Sequence, residues 1–132
     1  MHISATVKNA RQSHDVSVAT GNAAKSLVVP SREGGYGSGI NGGEFLMLAL
    51  ATCYCNDLYR EAARLDISVE SVEVEAGADF EGVGLAAQNI RYRARVVSRA
   101  SDADVARLLR ETDAVAEIHN TVRAGVAVIL EA

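Results

Sequence analysis

Residues 45–55 read FLMLALATCYC, the longest apolar run of the chain. It contains no glycine or proline, and its leucine, methionine and alanine residues favour a helix. Because this stretch is apolar on every face, we expect a helix that is buried all round. Farther along the chain the pattern becomes amphipathic, so the predicted helix runs from Glu44 to about Leu65. Glu44 lies at the helix N-terminus, where a carboxylate is stabilised by the helix dipole. It is either a capping acid or a functional carboxylate.

Three short strands and a loop are predicted before this helix. Residues 2–8 and 14–20 alternate in part between apolar and polar side chains, and residues 27–29 form a short apolar piece. Residues 31–43 read SREGGYGSGINGG and lack the glycine patterns of nucleotide-binding loops. This segment is therefore either a flexible surface connection or one in which backbones approach closely.

A hairpin, a second helix and a last strand are predicted after the long helix. Residues 68–78 and 89–97 each alternate between apolar and charged side chains. The charged residues are glutamates in the first segment and arginines in the second, as expected for two antiparallel strands whose outward side chains pair. Ser101 and Asp102 mark the start of a helix over residues 102–113. After a short segment, Val122 to Leu130 alternates like a strand. The sequence thus predicts an α+β fold in a single domain, residues 1–132.

The charge and hydropathy of the chain indicate which classes of binding partner to expect. The chain has 13 basic and 17 acidic residues and a net charge of −4, which gives no electrostatic reason to bind nucleic acid or an anionic membrane. The apolar run 45–55 is about half of the ~20 residues that span a bilayer. The first residues lack the pattern of a secretory signal. We expect a cytoplasmic protein with reduced thiols and no bound cofactor.

Cys53 is the most interesting candidate for chemistry. A single cysteine on a buried helix is usually a packing residue, whereas a reactive one needs a nearby cation or base and access to solvent. Cys55 points to another helix face, so the pair neither forms an easy disulfide nor converges on a metal. His119, before the last predicted strand, is a candidate base near neutral pH or a structural histidine.

The order of these pieces, together with four short matches, resembles the OsmC/Ohr family over essentially the whole chain. PSREGG at residues 30–35 is similar to the loop ahead of the family's central helix. NGGEFL at 41–46 resembles its N-P-x-E-L-L, with Gly42 in place of proline. ALATC at 49–53 resembles the segment that carries the peroxide-attacking cysteine, and NTV at 120–122 resembles the end of its C-P-x-S-N-T-L segment.

The resemblance implies an OsmC/Ohr-like fold, with antiparallel sheets around a long central helix in an intertwined homodimer. It also implies reduction of organic hydroperoxides in the oxidative stress response. Cys53 would be the nucleophile, and an arginine held by a glutamate would favour its thiolate. Glu44 matches that glutamate, although the Ohr branch would place it at Gly43. Arg11 is the nearest arginine on the N-terminal strands, but a gap-free count from Pro30 falls near His14.

Departures from the family pattern leave two functions open. When Asn120 is matched, Ala116 takes the position of the second, resolving cysteine, and Glu117 and His119 replace the family proline and serine. One expectation is a thiol peroxidase that uses Cys53, supported by Glu44, His119 and Arg11. The other is a degenerate, non-catalytic member that binds a small apolar or electrophilic ligand at the dimer interface. The retained cysteine favours the first function, and the missing one favours the second.

Overall fold

The computed structural model describes all 132 residues, in the order of three strands, a long helix, two strands and two further helices. The chain divides into two units, Met1–Phe45 and Leu46–Ala132, which are described in turn. The predicted α+β class is confirmed. None of the three helices has the length and hydrophobicity of a membrane span.

The first unit contains an antiparallel three-stranded sheet in the order β1-β2-β3. Its strands are β1 (Ile3–Ala10), β2 (Ser13–Thr20) and β3 (Ala23–Leu27). The first two confirm the prediction, whereas β3 begins earlier than the apolar piece at 27–29. The cause is the tight turn at Gly21, which has a φ of 56° and lets Ala23 pair directly with Thr20.

The glycine-rich loop is held close to neighbouring backbone. The backbone N–H of Gln12 donates to the carbonyl of Gly35, and the N–H of Gly37 donates to Asn9 Oδ1 at 3.0 Å. A Cβ on Gly39 would lie 3.0 Å from the carbonyl oxygen of Pro30, where no side chain fits easily. Of the two interpretations of this loop, close backbone approach is the one observed.

Helix α1 (Gly42–Arg64) begins with reciprocal hydrogen bonds between Asn41 and Glu44. The Glu44 N–H donates to Asn41 Oδ1 at 2.8 Å, and the Asn41 N–H donates to Glu44 Oε1 at 3.1 Å. This pairing satisfies two backbone donors that a helix start leaves free. Glu44 is therefore a capping acid, whatever further role it has.

The expectation that α1 is buried on every face is wrong for this chain alone. Leu50, Tyr54, Leu58 and Ala62 are buried and form one face of the helix. On another face Leu48 is 55% exposed and Tyr59 is 45% exposed, and Thr52 lies between them. Residues four apart share a face, so an exposed stripe with apolar members runs along α1.

The second unit contains the predicted hairpin, β4 (Ser71–Asp79) and β5 (Gln88–Val97). Its register is confirmed: Glu73 lies opposite Arg95 and Glu75 opposite Arg93, and both pairs form salt bridges. The other face packs on the core that Tyr54, Leu58, Ala62, Leu108 and Ala116 form. The residues of the hairpin that pack against this core include Val72, Val74, Tyr92 and Ala94.

Two helices follow, α2 (Asp102–Val115) and α3 (Glu117–Ala124). Ser101 caps α2 as predicted, since its side chain accepts from the Asp104 N–H at 3.1 Å. The predicted strand from Val122 to Leu130 is wrong, because α3 continues to Ala124 and the later residues have no regular structure. Gly125 ends α3 in the left-handed region, with a φ of 61°. A strand needs a hydrogen-bonded neighbour, and this segment pairs with none.

Candidate functional site

The Cys53 thiol lies between two carboxylates. Its Sγ donates to Asp57 Oδ2 at 3.5 Å and lies 4.0 Å from Glu117 Oε2. Cys53 and Asp57 are four residues apart on α1, so the helix itself places them on one face. Glu117 comes from the first turn of α3. Cys53 is a free, half-buried thiol, neither sealed in the core nor fully exposed.

Arg60 is the cation of this cluster, and it binds the carboxylates rather than the sulfur. Its guanidinium lies 3.0 Å from Asp57, 3.5 Å from Glu61 and 3.6 Å from Glu117. Glu61 also binds Arg64, and Arg64 and Arg107 both bind Glu111. An ion-pair network therefore runs from α2 across α1 and ends at the Cys53 thiol.

This environment keeps the thiol protonated. Burial raises the pKa of Cys53, the negative charges of Asp57 and Glu117 raise it further, and a backbone hydrogen bond at Ile118 opposes them. Burial also raises the pKa of Asp57, and Glu117 adds to this while Arg60 opposes it. The pKa of Glu117 is lowered, first by a backbone N–H at its own position and then by Arg60. The surroundings thus shift the pKa values of the two carboxylates in opposite directions.

His119 lies in an aromatic cluster beside this site. Only 3% of it is exposed, and its ring centroid lies 4.4 Å from that of Tyr92 and 5.8 Å from that of Tyr54. Neither ring nitrogen has a hydrogen-bond partner. Burial lowers its pKa, helped by Arg123 and opposed by Asp113 and Asp57. His119 is therefore a neutral imidazole at neutral pH.

The tyrosines of this cluster are hydrogen-bonded at its rim. The Tyr54 hydroxyl donates to the Leu109 carbonyl at 2.7 Å, and the Tyr92 hydroxyl donates to Asp113. Asp113 also binds Arg123 at 2.6 Å. Burial raises the pKa of Tyr54 to about 12, with a contribution from Asp113. Both phenols are thus proton donors held in fixed positions.

The structure places the four predicted site residues in two groups. Cys53 and His119 belong to the second unit, while Arg11 and Glu44 belong to the first. Arg11 occupies the turn between β1 and β2. The catalytic roles of all four stay predictions. Cys55 is a second free thiol, on α1, and is half-buried.

Sequence reasoning missed the residues that contact the thiol. The amphipathic pattern of the later helix turns does not single out Asp57 or Arg60, and the family resemblance gives Glu117 only the position of a missing proline. A signal for Asp57 was present, because a carboxylate four residues after a helical cysteine shares its face. No pattern in the sequence brings Glu117 to α1, since the packing of α3 decides that contact.

The cluster also has donor atoms of the types that bind metals. Cys53 Sγ and carboxylate oxygens of Asp57 and Glu117 lie within 4.8 Å of one another. Thiolate and carboxylate both bind zinc. Arg60 binds the other oxygen of each carboxylate and offsets part of their negative charge.

These features define an α+β protein whose long helix α1 presents a half-buried cysteine. A family model described as OsmC-like protein matches residues 35–131, which is most of the chain. The chain belongs to the OsmC-like family. No curated protein sequence matches it.

Solved structures of the same family share the fold. An organic hydroperoxide resistance protein OsmC from Legionella pneumophila is 18% identical, with a TM-score of 0.62 over 93% of this chain and 90% of that one. An OsmC-like protein of unknown function from Vibrio cholerae is 15% identical, with a TM-score of 0.64 over 92% and 93%. OhrB of Bacillus subtilis is 18% identical, with a TM-score of 0.55 over 99% and 97%. The predicted OsmC/Ohr fold is confirmed.

Proposed function

We propose that this chain reduces organic hydroperoxides with Cys53 as its nucleophile. The observation that carries the proposal is a half-buried thiol with a proton acceptor, Asp57, at 3.5 Å. Membership of the OsmC-like family supports this chemistry, and the Legionella pneumophila neighbour is named as an organic hydroperoxide resistance protein. A role in protection from oxidative stress follows from the same reaction.

The reaction requires an external thiol. The Cys53 sulfur attacks one peroxide oxygen and the O–O bond breaks, which gives a cysteine sulfenic acid and an alcohol. The resolving position holds Ala116, which is fully buried, and Cys55 points to a different face of α1. A small-molecule thiol therefore condenses with the sulfenic acid, releasing water and leaving a mixed disulfide.

The test is a count of thiols. Reduced protein is titrated with cumene hydroperoxide, and free thiols and sulfenic adducts are measured by mass spectrometry. We expect loss of the Cys53 thiol in wild type and in Cys55→Ser, and no loss at Cys55 in Cys53→Ser. An intramolecular Cys53–Cys55 disulfide would contradict the proposed resolution. No reaction at Cys53 up to millimolar peroxide would contradict the proposed function.

A second candidate is binding of a small apolar or electrophilic ligand without turnover. It is favoured by the raised pKa of Cys53 and by Ala116 at the resolving position. The same titration separates the two functions. A ligand-binding protein would leave Cys53 reduced at millimolar cumene hydroperoxide.

Arg11, Glu44 and His119 are proposed as supporting residues. The family resemblance assigns a cation and a glutamate to the nucleophile, and His119 lies in the same unit as Cys53. Single substitutions Arg11→Gln, Glu44→Gln and His119→Phe test these roles in the peroxide reaction. A variant that keeps the wild-type rate excludes its residue from the reaction.

We also propose that the protein is a homodimer in the cytoplasm. The exposed stripe of Leu48, Thr52 and Tyr59 on α1 gives a second copy of the helix an apolar surface to cover. Light scattering at micromolar concentration should give a dimer for wild type and for Val83→Asp, a fully exposed control position, and a monomer for Leu48→Asp. A wild-type monomer would contradict the proposal. Two free cysteines fit the reducing cytoplasm.

A further inference from the structure

We propose that Asp57 is the acid–base residue of the Cys53 reaction. This inference rests on the proposed function and adds a residue to it. As sulfur attacks the peroxide, the Asp57 carboxylate accepts the thiol proton. The O–O bond breaks, and the protonated Asp57 then gives that proton to the departing alkoxide. The products are the sulfenic acid and the alcohol, and Asp57 returns to its starting form.

Helix α1 holds the donor and the acceptor of this proton transfer next to each other. Asp57 Oδ2 accepts from the Cys53 Sγ at 3.5 Å, and both residues are held on one face of a regular helix. Arg60 binds the other oxygen, Oδ1, at 3.0 Å, so Oδ2 is left toward the sulfur. The carboxylate is therefore fixed before the substrate arrives.

Glu117 is the competing acceptor and is less suited to the role. It lies farther from the sulfur, at 4.0 Å, and its side chain is 68% exposed, whereas the side chain of Asp57 is only 8% exposed. A base works best when its pKa is close to the working pH. Burial raises the pKa of Asp57, while a backbone N–H and Arg60 lower that of Glu117.

The local charges explain why such a base is needed. The groups around Asp57 are Cys53 and Arg60 on its own helix and Glu117 and His119 on α3. The only cation among them is Arg60, and it is shared by three carboxylates. The thiol is thus protonated at neutral pH, and its proton must leave during the attack. An adjacent base activates a weak nucleophile in this way.

The test compares Asp57→Asn with Glu117→Gln. Both variants remove one negative charge beside the thiol, but only the first removes the proposed base. The rate of Cys53 oxidation by cumene hydroperoxide is measured in a single turnover from pH 6 to 9, with EDTA present. At pH 7 we expect Asp57→Asn to be roughly 100-fold slower than wild type, a size typical of general acid–base catalysis. Its rate should then rise about tenfold per pH unit as the thiolate forms. Glu117→Gln should be faster than wild type.

A rate for Asp57→Asn that is not lower than that of wild type would overturn the inference. If Asp57 only holds the thiol protonated, Asp57→Asn would react as fast as wild type or faster at pH 7. A measurement on wild type guards against a misfolded variant. Transfer of the proton during the attack predicts a slower reaction in D₂O, whereas attack by a preformed thiolate predicts no slowing. Asp57→Glu, which keeps a carboxylate, should recover part of the rate.

Alkylation of Cys53 by iodoacetamide separates this inference from the proposed function. If wild type is alkylated in an Asp57-dependent manner but never oxidised by peroxide, the peroxide function fails and Asp57 is still the base of the thiol. If wild type reduces peroxide and Asp57→Asn matches it, the function stands and the role of Asp57 fails.

Discussion

Replacing His119 with phenylalanine should stabilise the protein. The imidazole is 3% exposed and packs against Tyr54 and Tyr92, yet neither of its nitrogens has a hydrogen-bond partner. Each buried, unsatisfied polar group costs about 1–3 kcal/mol of stability. Phenylalanine keeps the aromatic contacts and removes both costs.

The expected gain in the free energy of unfolding is smaller than the summed cost of the two nitrogens, because phenylalanine is larger than histidine. Forcing extra volume into a packed site costs about 1–3 kcal/mol. At the lower end of both ranges, two relieved nitrogens outweigh the added volume by about 1 kcal/mol, and we expect a net gain of at least this size in the free energy of unfolding at pH 8.

The stability gain of His119→Phe over wild type should be larger at acidic pH. Burial lowers the pKa of His119 in the folded chain below its ordinary value of 6.5. The unfolded chain therefore binds a proton first, and the stability that wild type has above pH 6.5 is lost as the pH falls below that value. His119→Phe removes this loss, so the difference between variant and wild type should be larger at pH 5 than at pH 8.

Urea unfolding at pH 5 and pH 8 measures both effects, with His2→Gln at an exposed histidine as the matched control. A loss of 1 kcal/mol or more at pH 8, about the size of one net hydrogen bond, would refute the reasoning. It would mean that His119 has a partner that supports it. An unchanged difference between the two pH values would show that other groups carry the acid sensitivity.

Three further substitutions test the core, the hairpin and the cap by urea unfolding. Leu58→Ala removes a fully buried side chain and should cost about 3 kcal/mol, whereas Val83→Ala at an exposed loop should cost under about 0.5 kcal/mol. Val74→Asp places an unpaired charge on the inward face of β4 and should cost about 3 kcal/mol or more, while Glu75→Gln on the outward face should change little. An unchanged free energy of unfolding for Val74→Asp would mean that the register is shifted by one residue. Ser101→Ala removes the α2 cap and should cost about 1 kcal/mol, and no loss would show that the Asp104 N–H finds another acceptor.

Local patterns predicted most of the elements. Alternation and opposite charges gave the β4–β5 register, because the Glu73–Arg95 and Glu75–Arg93 pairs need only two neighbouring strands. Ser101 predicted the start of α2, because a cap acts within one turn. These features are decided by residues close in sequence or directly opposite each other.

The failures occur where the outcome depends on distant packing. The alternation from Val122 to Leu130 is typical of a strand, but α3 extends through its first residues and Gly125 then ends the helix. Val128 and Leu130 are almost fully exposed as a result. The all-round apolar run of α1 likewise leaves Leu48 exposed in one chain. In both places apolar side chains that the pattern marks as buried are exposed in the single chain.

In the site, too, the contacts set by nearby residues can be read from the sequence, and those set by distant packing cannot. The resemblance led to an expected cation that favours the Cys53 thiolate, and that expectation concerns residues far away in sequence. The contact with Asp57 is local, set by four residues of helix, and it has the opposite electrostatic effect. A carboxylate beside a thiol slows attack if it acts only through its charge, and speeds attack if it accepts the proton. Arg60 binds the far oxygen of Asp57 and leaves the near one directed at sulfur, which is the arrangement that proton acceptance requires.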